Sequence, residues 1–374
     1  MARPLTALGG NIFAGLFTVG VKRAGYRVLG HLEHGPYGVA TAKLNHPELA
    51  DRVWTRPSAW PDPSTFGRVN LMFCNPPCAA WSSARASKKG SWEDHVERLA
   101  IIDHLTTYGI ALKPDAWVWE SVTNAWRHGR GFIDRIAEAW LDAGYSVTVL
   151  KQNNMYLGVP QNRPRVLVTA HRHPLVLPPL TDPPDAAAVL KRVKPKKDDF
   201  FPGHTAEGWQ NLWHRAEGHG NMRRVWQAMD TQQLKGVSRT PSFLVRRIAK
   251  EGPAPVMLDY EKLWHPTEPR CLTWREALAL CGLPETWVPE RWTKAAFSDL
   301  SRAVMPPVGE WLARAVADGL RLKPVRHPTY QVVHLDAGPL NVATEDLMPD
   351  GDHRFGELKR WDQVPAPTPK RRTA

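Results

Sequence analysis

The chain has 374 residues, enough for one large domain and a smaller one, each with its own core. Its four cysteines are too few for a disulfide scaffold and lack zinc-knuckle spacing, so we expect a reduced protein without a metal. No apolar run approaches the ~20 residues that span a bilayer, and the N-terminus lacks the apolar core of a signal peptide, which predicts a cytoplasmic protein. The net charge of +12 favours a polyanionic partner.

Short apolar runs alternate with amphipathic segments over residues 1–171, which predicts an α/β fold with a mostly parallel sheet. Ligands bind such sheets outside the carboxyl ends of the strands. Glu33, Cys78 and Glu120 each follow a predicted strand, so we expect them at that edge. The predicted strands cover residues 6–12, 26–32, 69–73, 116–119, 146–150 and 165–170, and the predicted helices cover 19–24, 95–112 and 132–143.

The first two strands end in a pattern typical of nucleotide sites. Phe13-Ala14-Gly15 forms a glycine turn after the first strand, and Glu33 follows the second. A carboxylate in that position can hold the two hydroxyls of a ribose. Glycine turns are common, however, and Glu33 could equally be a solvated side chain.

The segment VNLMFCNPPCAAWSS, residues 69–83, places a thiol after a buried strand. Asn75-Pro76-Pro77 ends that strand abruptly, and the two prolines stiffen the loop because they fix φ and remove two donors. A stiff loop that presents Cys78 suits a nucleophile. An isolated cysteine beside a strand is also a common small core residue, so the choice depends on partners elsewhere in the chain.

The second half of the chain has a different composition. Residues 172–265 combine proline-rich stretches, a basic run at 191–197 and tryptophans that alternate with His and Arg. That composition fits a module that grips a nucleic-acid backbone and reads bases, although a solvated basic face with a few buried tryptophans would look alike. Helices are predicted within 269–287 and 308–320, and the tail from 364 is predicted to be disordered.

Seven motifs occur in a characteristic order, namely FAG, a Glu after the second strand, NPPC, WESV, GVPQNRPR, RCLTWREALALCGLP and SRAVMPPVGEWLA. Together they resemble the ordered motifs of DNA cytosine-5 methyltransferases, over about 170 N-terminal and about 55 C-terminal residues. The resemblance implies a Rossmann-like methyltransferase fold dependent on S-adenosylmethionine, with a second, smaller target-recognition domain. The domains expected are a catalytic part at 1–171, target recognition at 172–265, a catalytic return at 266–325 and an extension at 326–374.

The resemblance also implies a reaction. Carbon 5 of cytosine is a poor nucleophile, and the family activates it by adding a thiolate at carbon 6 while an acid neutralises N3. By motif position Cys78 is that thiol and Glu120 that acid, while Arg163 and Arg165 hold the base. The cytosine must leave the helix for this, so the expected partner is double-stranded DNA, bound by a monomer in the cytoplasm of a bacterial or phage-infected cell.

For the cofactor S-adenosylmethionine, the resemblance assigns a second group of residues. Phe13 should lie against the adenine, Gly15 should leave room for the methionine portion, and Glu33 should take the ribose hydroxyls. Four further residues are expected beside it: Ala14, Asn75, Pro76 and Ala303. Arg270, Arg275 and Glu276 match a segment that is largely structural in the family.

Three departures from the family pattern fall in or beside this site. The loop after Phe13 is shorter than the usual FxGxGG and lacks its glycine pair, Ser121 replaces an asparagine, and Arg302 also replaces an asparagine. A guanidinium near a sulfonium needs an anion. Arg302 could bind the methionine carboxylate, or turn toward a DNA phosphate or Asp299. It could instead meet an extra carboxylate on carboxy-S-adenosylmethionine, which would give carboxymethylated cytosine.

Other functions stay open at this point. A catalytically inactive relative that only binds DNA would retain much of the pattern, and a transfer-RNA branch of the family shares most of these motifs. Retention of Cys78, Glu120, Arg163 and Arg165 favours an enzyme, and the basic middle segment favours DNA. The sequence leaves open the target site and whether the enzyme serves a restriction system, acts alone or protects a phage genome.

Overall fold

The computed structural model describes residues 4–78, 81, 93–196, 246–255, 263–268, 272–290 and 300–335. Most of the middle segment, the tail from 364, Arg270 and Asp299 lie outside these residues, so the predictions about them stay predictions. No helix in the described part of the chain combines the length and apolarity needed to cross a bilayer.

Eight strands form one sheet, and four two-residue strands form two small ladders. In chain order the strands are β1 (Thr6–Gly10), β2 (Arg27–Leu32), β3 (Val53–Trp54), β4 (Leu71–Cys74), β5 (Ala116–Val122), β6 (Ser146–Asn153), β7 (Gln161–Asn162), β8 (Pro164–His171), β9 (Arg246–Arg247), β10 (Ala254–Pro255), β11 (Leu263–Trp264) and β12 (Tyr330–Leu335). The large sheet has the order β12-β6-β8-β5-β4-β1-β2-β3.

The large sheet is mostly parallel, as the sequence predicted. β1 lies between β2 and β4 and is parallel to both, and β4 is parallel to β5. Only β8 reverses direction within this sheet, so it pairs antiparallel with both β5 and β6. The carboxyl ends of β1, β2, β4 and β5 therefore share one edge, which is where such sheets bind ligands.

Helices cover both faces of the sheet. They are α1 (Leu16–Arg23), α2 (Val39–Asn45), α3 (Glu93–Leu112), α4 (Thr123–His128), α5 (Arg130–Asp142), α6 (Ala186–Arg192), α7 (Trp274–Leu280) and α8 (Pro306–Gly319). Successive residues of a strand face opposite sides. Accordingly Ala7 packs in a core layer with α1, α7 and α8, while Leu8 packs in a second layer with α3 and α5.

The C-terminal part of the chain packs directly on its N-terminal part. The Tyr26 hydroxyl donates to the Ala313 carbonyl at 3.1 Å. Gly20 of α1 faces the backbone of α8 so closely that a Cβ there would lie 2.7 Å from the Glu310 nitrogen. The start of α7 is fixed by a capping box, in which Thr273 and Glu276 bond each other's backbone N–H groups.

The structure corrects one expectation and adds two observations. The strand expected at 116–119 continues to Val122, so Glu120 lies within β5 and not after it, because β5 pairs along its whole length with β8. A further strand, β12, lies in the expected extension and pairs with β6. Three tryptophans of the catalytic part, Trp117, Trp119 and Trp140, are fully buried in the core.

Candidate active site

The loop after β1 has an unusual backbone. Asn11, Phe13 and Gly15 adopt left-handed conformations, with φ of 55°, 54° and 84°. A left-handed non-glycine residue costs roughly 1–2 kcal/mol, so such a loop persists only where its surroundings hold it. The Asn11 N–H donates to Leu32 O at 2.8 Å, and the Gly15 N–H donates to Ile12 O at 3.1 Å. Phe13 is partly exposed in this loop, whereas Ala14 is buried.

Glu33 lies under this loop and is only 2% exposed. Its Oε1 accepts the Ile12 N–H at 2.7 Å. Trp60 Nε1 donates to its carbonyl at 3.1 Å, which fixes the backbone at the end of β2. Burial raises the pKa of Glu33 to about 8, against the opposing effect of the Ile12 and Phe13 N–H groups. The carboxyl group therefore supports the loop after β1.

The loop after β4 is tied to both neighbouring segments through Asn75. Its N–H donates to Gly10 O at 3.0 Å, and its carbonyl accepts from Asn11 Nδ2 at 3.2 Å. Its own Nδ2 donates to Arg302 O at 3.3 Å. Asn75 and Pro76 are buried, whereas Cys78 is partly exposed. The thiol thus follows a rigid segment that joins the ends of β1 and β4.

Glu120 and Arg165 form an ion pair beside this thiol, with Arg165 Nε 3.0 Å from Glu120 Oε1. Arg165 pairs across the antiparallel ladder with Val122, two residues after Glu120. Residues two apart share a face of the sheet, so the register brings the two side chains together diagonally. Burial raises the pKa of Glu120, and the guanidinium groups of Arg165 and Arg163 oppose that rise.

The thiol of Cys78 belongs to the same charged cluster. Burial raises the pKa of the Cys78 thiol, and the cation of Arg165 opposes this rise. The Glu120 carboxyl group also raises the pKa, and the cation of Arg163 lowers it. One thiol, one carboxyl group and two guanidinium groups therefore interact within a largely water-excluded site. The structure brings together all four residues that the resemblance assigned to catalysis.

Arg163 bonds to the backbone of the segment at 301–303, and its expected contact with the base stays a prediction. Its Nη1 donates to Ser301 O at 2.8 Å and its Nη2 to Ala303 O at 3.2 Å. Its backbone N–H donates to Asn153 Oδ1 at 2.9 Å. Burial lowers the pKa of Arg163 to about 9, which still leaves a cation at neutral pH. With both Nη groups occupied, Arg163 holds the 301–303 segment.

Three consecutive carbonyls of that segment, at Ser301, Arg302 and Ala303, accept bonds from Arg163 and Asn75. Ser301 and Ala303 are buried, whereas Arg302 between them is exposed. Within the described part of the chain, the Arg302 side chain has no carboxylate partner. The backbone at 302 is thus linked through Asn75 to the loop after β1, while its guanidinium group is accessible to an anion.

The residues around these loops suit a nucleoside cofactor. A glycine turn, a partly exposed aromatic ring and a buried carboxyl group meet at the ends of the adjacent strands β1 and β2. No cluster of three or more potential metal ligands occurs among the described residues.

Sequence reasoning missed Asn11 and His46. Asn11 is left-handed directly after two glycines, and Asn is enriched in that conformation, so its position was a usable signal. His46 Nε2 contacts Gly15 O at 2.9 Å across 31 residues, and no local pattern marks it.

Comparison with known proteins is consistent with this geometry. The family model for C-5 cytosine-specific DNA methylases matches residues 11–318. The chain is 23% identical to the type II methyltransferase M.XorII of Xanthomonas oryzae pv. oryzae, covering 99% of this chain and 98% of that protein. It is 24% identical to the type II methyltransferase M1.HphI of Haemophilus parahaemolyticus, covering 81% and 84% of the two chains.

Solved structures share the fold. A prophage-encoded protein of E. coli, described as a DNA modification methyltransferase, superposes with a TM-score of 0.63 at 17% identity. That likeness covers 85% of this chain and 99% of the other. The Entamoeba histolytica methyltransferase EhMeth superposes with a TM-score of 0.59 at 13% identity, with the same coverage.

Proposed function

We propose that this chain, which belongs to the family of C-5 cytosine-specific DNA methylases, transfers a one-carbon group to carbon 5 of cytosine in DNA through a covalent adduct with Cys78. The observation that carries the proposal is the cluster of Cys78 with Glu120 and Arg165, in which Arg165 pairs with Glu120 at 3.0 Å. Cytosine needs an acid and a nucleophile on the same ring, and this cluster offers both.

The reaction begins when the Cys78 thiolate forms a bond to carbon 6. The displaced electron pair moves to carbon 5, and Glu120 places a proton at N3. A raised pKa suits that role, because it makes the carboxyl group easier to protonate than an ordinary glutamate. Bound S-adenosylmethionine supplies the electrophilic one-carbon group. A base then removes the proton from carbon 5. The double bond between carbons 5 and 6 re-forms as the bond from carbon 6 to the Cys78 sulfur breaks, and N3 returns its proton to Glu120.

Arg165 has two functions in this proposal. Its cation favours the thiolate of Cys78, and its ion pair holds the Glu120 carboxyl group in place. None of this chemistry is possible inside a stacked duplex, so the cytosine must be flipped out. Residues 172–265 would grip the DNA, a function that the net charge of +12 supports.

The cofactor would be held by the loops at the ends of β1, β2 and β4. Phe13 offers a partly exposed ring for the adenine, and Glu33 offers a carboxyl group to the ribose. Gly15 gives the loop its left-handed turn between them. Asn75 and Pro76 would border the cofactor from the neighbouring loop. The 301–303 segment, with Ala303, would close the site from the other side.

A covalent-trapping experiment tests this proposal. DNA that contains 5-fluorocytosine cannot lose a proton from carbon 5, so incubation with S-adenosylmethionine should leave a protein–DNA adduct that survives denaturation. Cys78→Ala should abolish the adduct, whereas Cys281→Ala, a change at a buried cysteine, should retain it. Absence of an adduct with the wild-type protein would support an inactive DNA-binding relative. An equal adduct on RNA that contains the same analogue would point to the RNA branch.

A second candidate is carboxymethylation of cytosine with carboxy-S-adenosylmethionine. The observation in its favour is that Arg302 is exposed, has a fixed backbone and has no carboxylate partner among the described residues. A guanidinium group and a carboxylate pair through two hydrogen bonds, so an extra carboxylate on the transferred group would suit this position.

Weighing the nucleosides after incubation with each cofactor distinguishes the two reactions. Carboxymethylcytosine with the acidic cofactor, and its loss in Arg302→Asn with methyl transfer retained, would support the second candidate. Methylcytosine with S-adenosylmethionine, together with unmodified cytosine in the incubation with the acidic cofactor, would exclude it and leave the methionine carboxylate, a DNA phosphate or Asp299 as the partner of Arg302.

A further inference from the structure

The loop at residues 11–15 depends on outside support, because Asn11, Phe13 and Gly15 are all left-handed. Glu33 and Asn75 support its first half through Ile12 and Asn11. Its second half contains the shortened sequence that lacks the family's glycine pair. That half is contacted by a side chain from the segment after α2.

This side chain is His46, which is only 3% exposed. Its Nε2 lies 2.9 Å from the Gly15 carbonyl oxygen. Since a carbonyl oxygen can only accept, Nε2 must carry the hydrogen. The ring also packs directly on the glycine, because a Cβ added at Gly15 would lie 2.8 Å from His46 Nε2.

The other ring nitrogen is fixed as well. Lys22 Nζ lies 2.9 Å from His46 Nδ1, and an ammonium group can only donate, so Nδ1 must be an acceptor. Lys22 in turn forms an ion pair with Glu48. Burial lowers the pKa of His46 to about 4, and the Lys22 cation adds to this effect. The imidazole is therefore neutral at physiological pH, with the tautomer that Gly15 requires.

We propose that His46 is a positioning residue for the cofactor loop, which holds the Gly15 carbonyl so that the backbone of Phe13–Gly15 keeps the conformation that receives S-adenosylmethionine. Glu48 and Lys22 fix the histidine in this arrangement. The inference rests on the proposed function, because it assigns the loop to that cofactor. It also explains how a loop without the glycine pair can serve as a binding site, since a side-chain bond replaces part of the missing local support.

Titration calorimetry of the full chain with S-adenosylmethionine tests the inference. His46→Leu removes the donor, and we expect its Kd to rise about tenfold or more. His46→Gln keeps an N–H donor at a similar reach, so its Kd should stay within about threefold of the wild-type value. With saturating cofactor, the kcat of His46→Leu should stay close to that of the wild-type protein, because the bond acts on binding.

Each other result has a distinct meaning. Unchanged affinity in His46→Leu, or an equal loss in His46→Gln, would overturn the positioning role and leave only packing. If His46→Leu does not fold, Lys22→Met decides the question. Lys22 is partly exposed, so the protein should tolerate this change. A Kd of Lys22→Met equal to that of the wild-type protein would overturn the inference. Failure of the wild-type chain to bind S-adenosylmethionine would instead contradict the proposed function.

Discussion

Arg163 Nη1 donates to the Ser301 carbonyl at 2.8 Å across 138 residues of sequence. This bond joins the residue just before β8 to the segment that carries Arg302. Arg163 forms a second bond, from Nη2 to Ala303 O, so its guanidinium group bonds two carbonyls of the same segment. A planar guanidinium group suits two carbonyls on one segment in a way that a lysine ammonium does not. Arg163 therefore links the charged cluster around Cys78 to the segment at residues 301–303.

Replacing Arg163 by Met should destabilise the protein markedly. Two buried carbonyls would lose their donors, at a cost of about 1–3 kcal/mol each, so we expect the free energy of unfolding to fall by about 2–5 kcal/mol. Urea denaturation measures this. Arg314→Met is the matched control, because Arg314 makes only an exposed ion pair with Glu310 on α8 and should change stability by no more than about 0.5 kcal/mol. Equal effects of the two changes would show that the two hydrogen bonds from Arg163 do not stabilise the fold.

Arg165→Met should make the Cys78 thiol less reactive. The Arg165 cation is the strongest influence that lowers the pKa of Cys78 against burial, so its removal should raise that pKa further. The rate of alkylation at Cys78, followed by peptide mass spectrometry over a range of pH, should then rise only at a higher pH than in the wild-type protein. Arg165→Lys keeps the charge and should shift the profile less. An unchanged profile in Arg165→Met would show that the cation does not act on the thiol.

Glu33→Gln should change how stability depends on pH. The folded carboxyl group keeps its proton up to about pH 8, whereas an ordinary Glu ionises near 4.5. The unfolded state thus releases the proton first, and the wild-type protein loses stability as the pH rises between these values. Gln cannot ionise, and its carbonyl can still accept the Ile12 N–H. The melting temperature of Glu33→Gln relative to the wild-type protein should therefore increase from pH 5 to pH 8, and a constant difference would contradict the raised pKa. The same change at solvent-exposed Glu285 is the control.

Gly20→Ala tests the contact between α1 and α8. The added Cβ would meet the Pro306 carbonyl and the Glu310 nitrogen, both backbone atoms that cannot turn aside. Ala normally stabilises a helix relative to Gly by about 1 kcal/mol, so a loss of about 1–3 kcal/mol would show that the close approach of α1 and α8 dominates. Gly35→Ala, where a Cβ would lie 3.4 Å from the Tyr37 ring, should be nearly neutral in the same urea measurement.

The sequence by itself determined the mostly parallel sheet and the strand ends that carry Glu33 and Cys78. These features follow from local patterns, since an apolar run of strand length and a stiff proline loop are visible within a few residues. It also determined the residue types that the chemistry needs, because a thiol, a carboxyl group and two guanidinium groups occur in a characteristic order of motifs.

Only the tertiary structure decided how these groups meet. The antiparallel register of β5 and β8 placed Glu120 inside a strand and diagonally across from Arg165, and strand register depends on pairing between distant segments. The same holds for Arg163, which contacts carbonyls 138 and 140 residues away, and for His46, which contacts Gly15 across 31 residues. A hydrogen bond between distant residues leaves no periodicity in the sequence, so only the folded structure shows these contacts of Arg163 and His46.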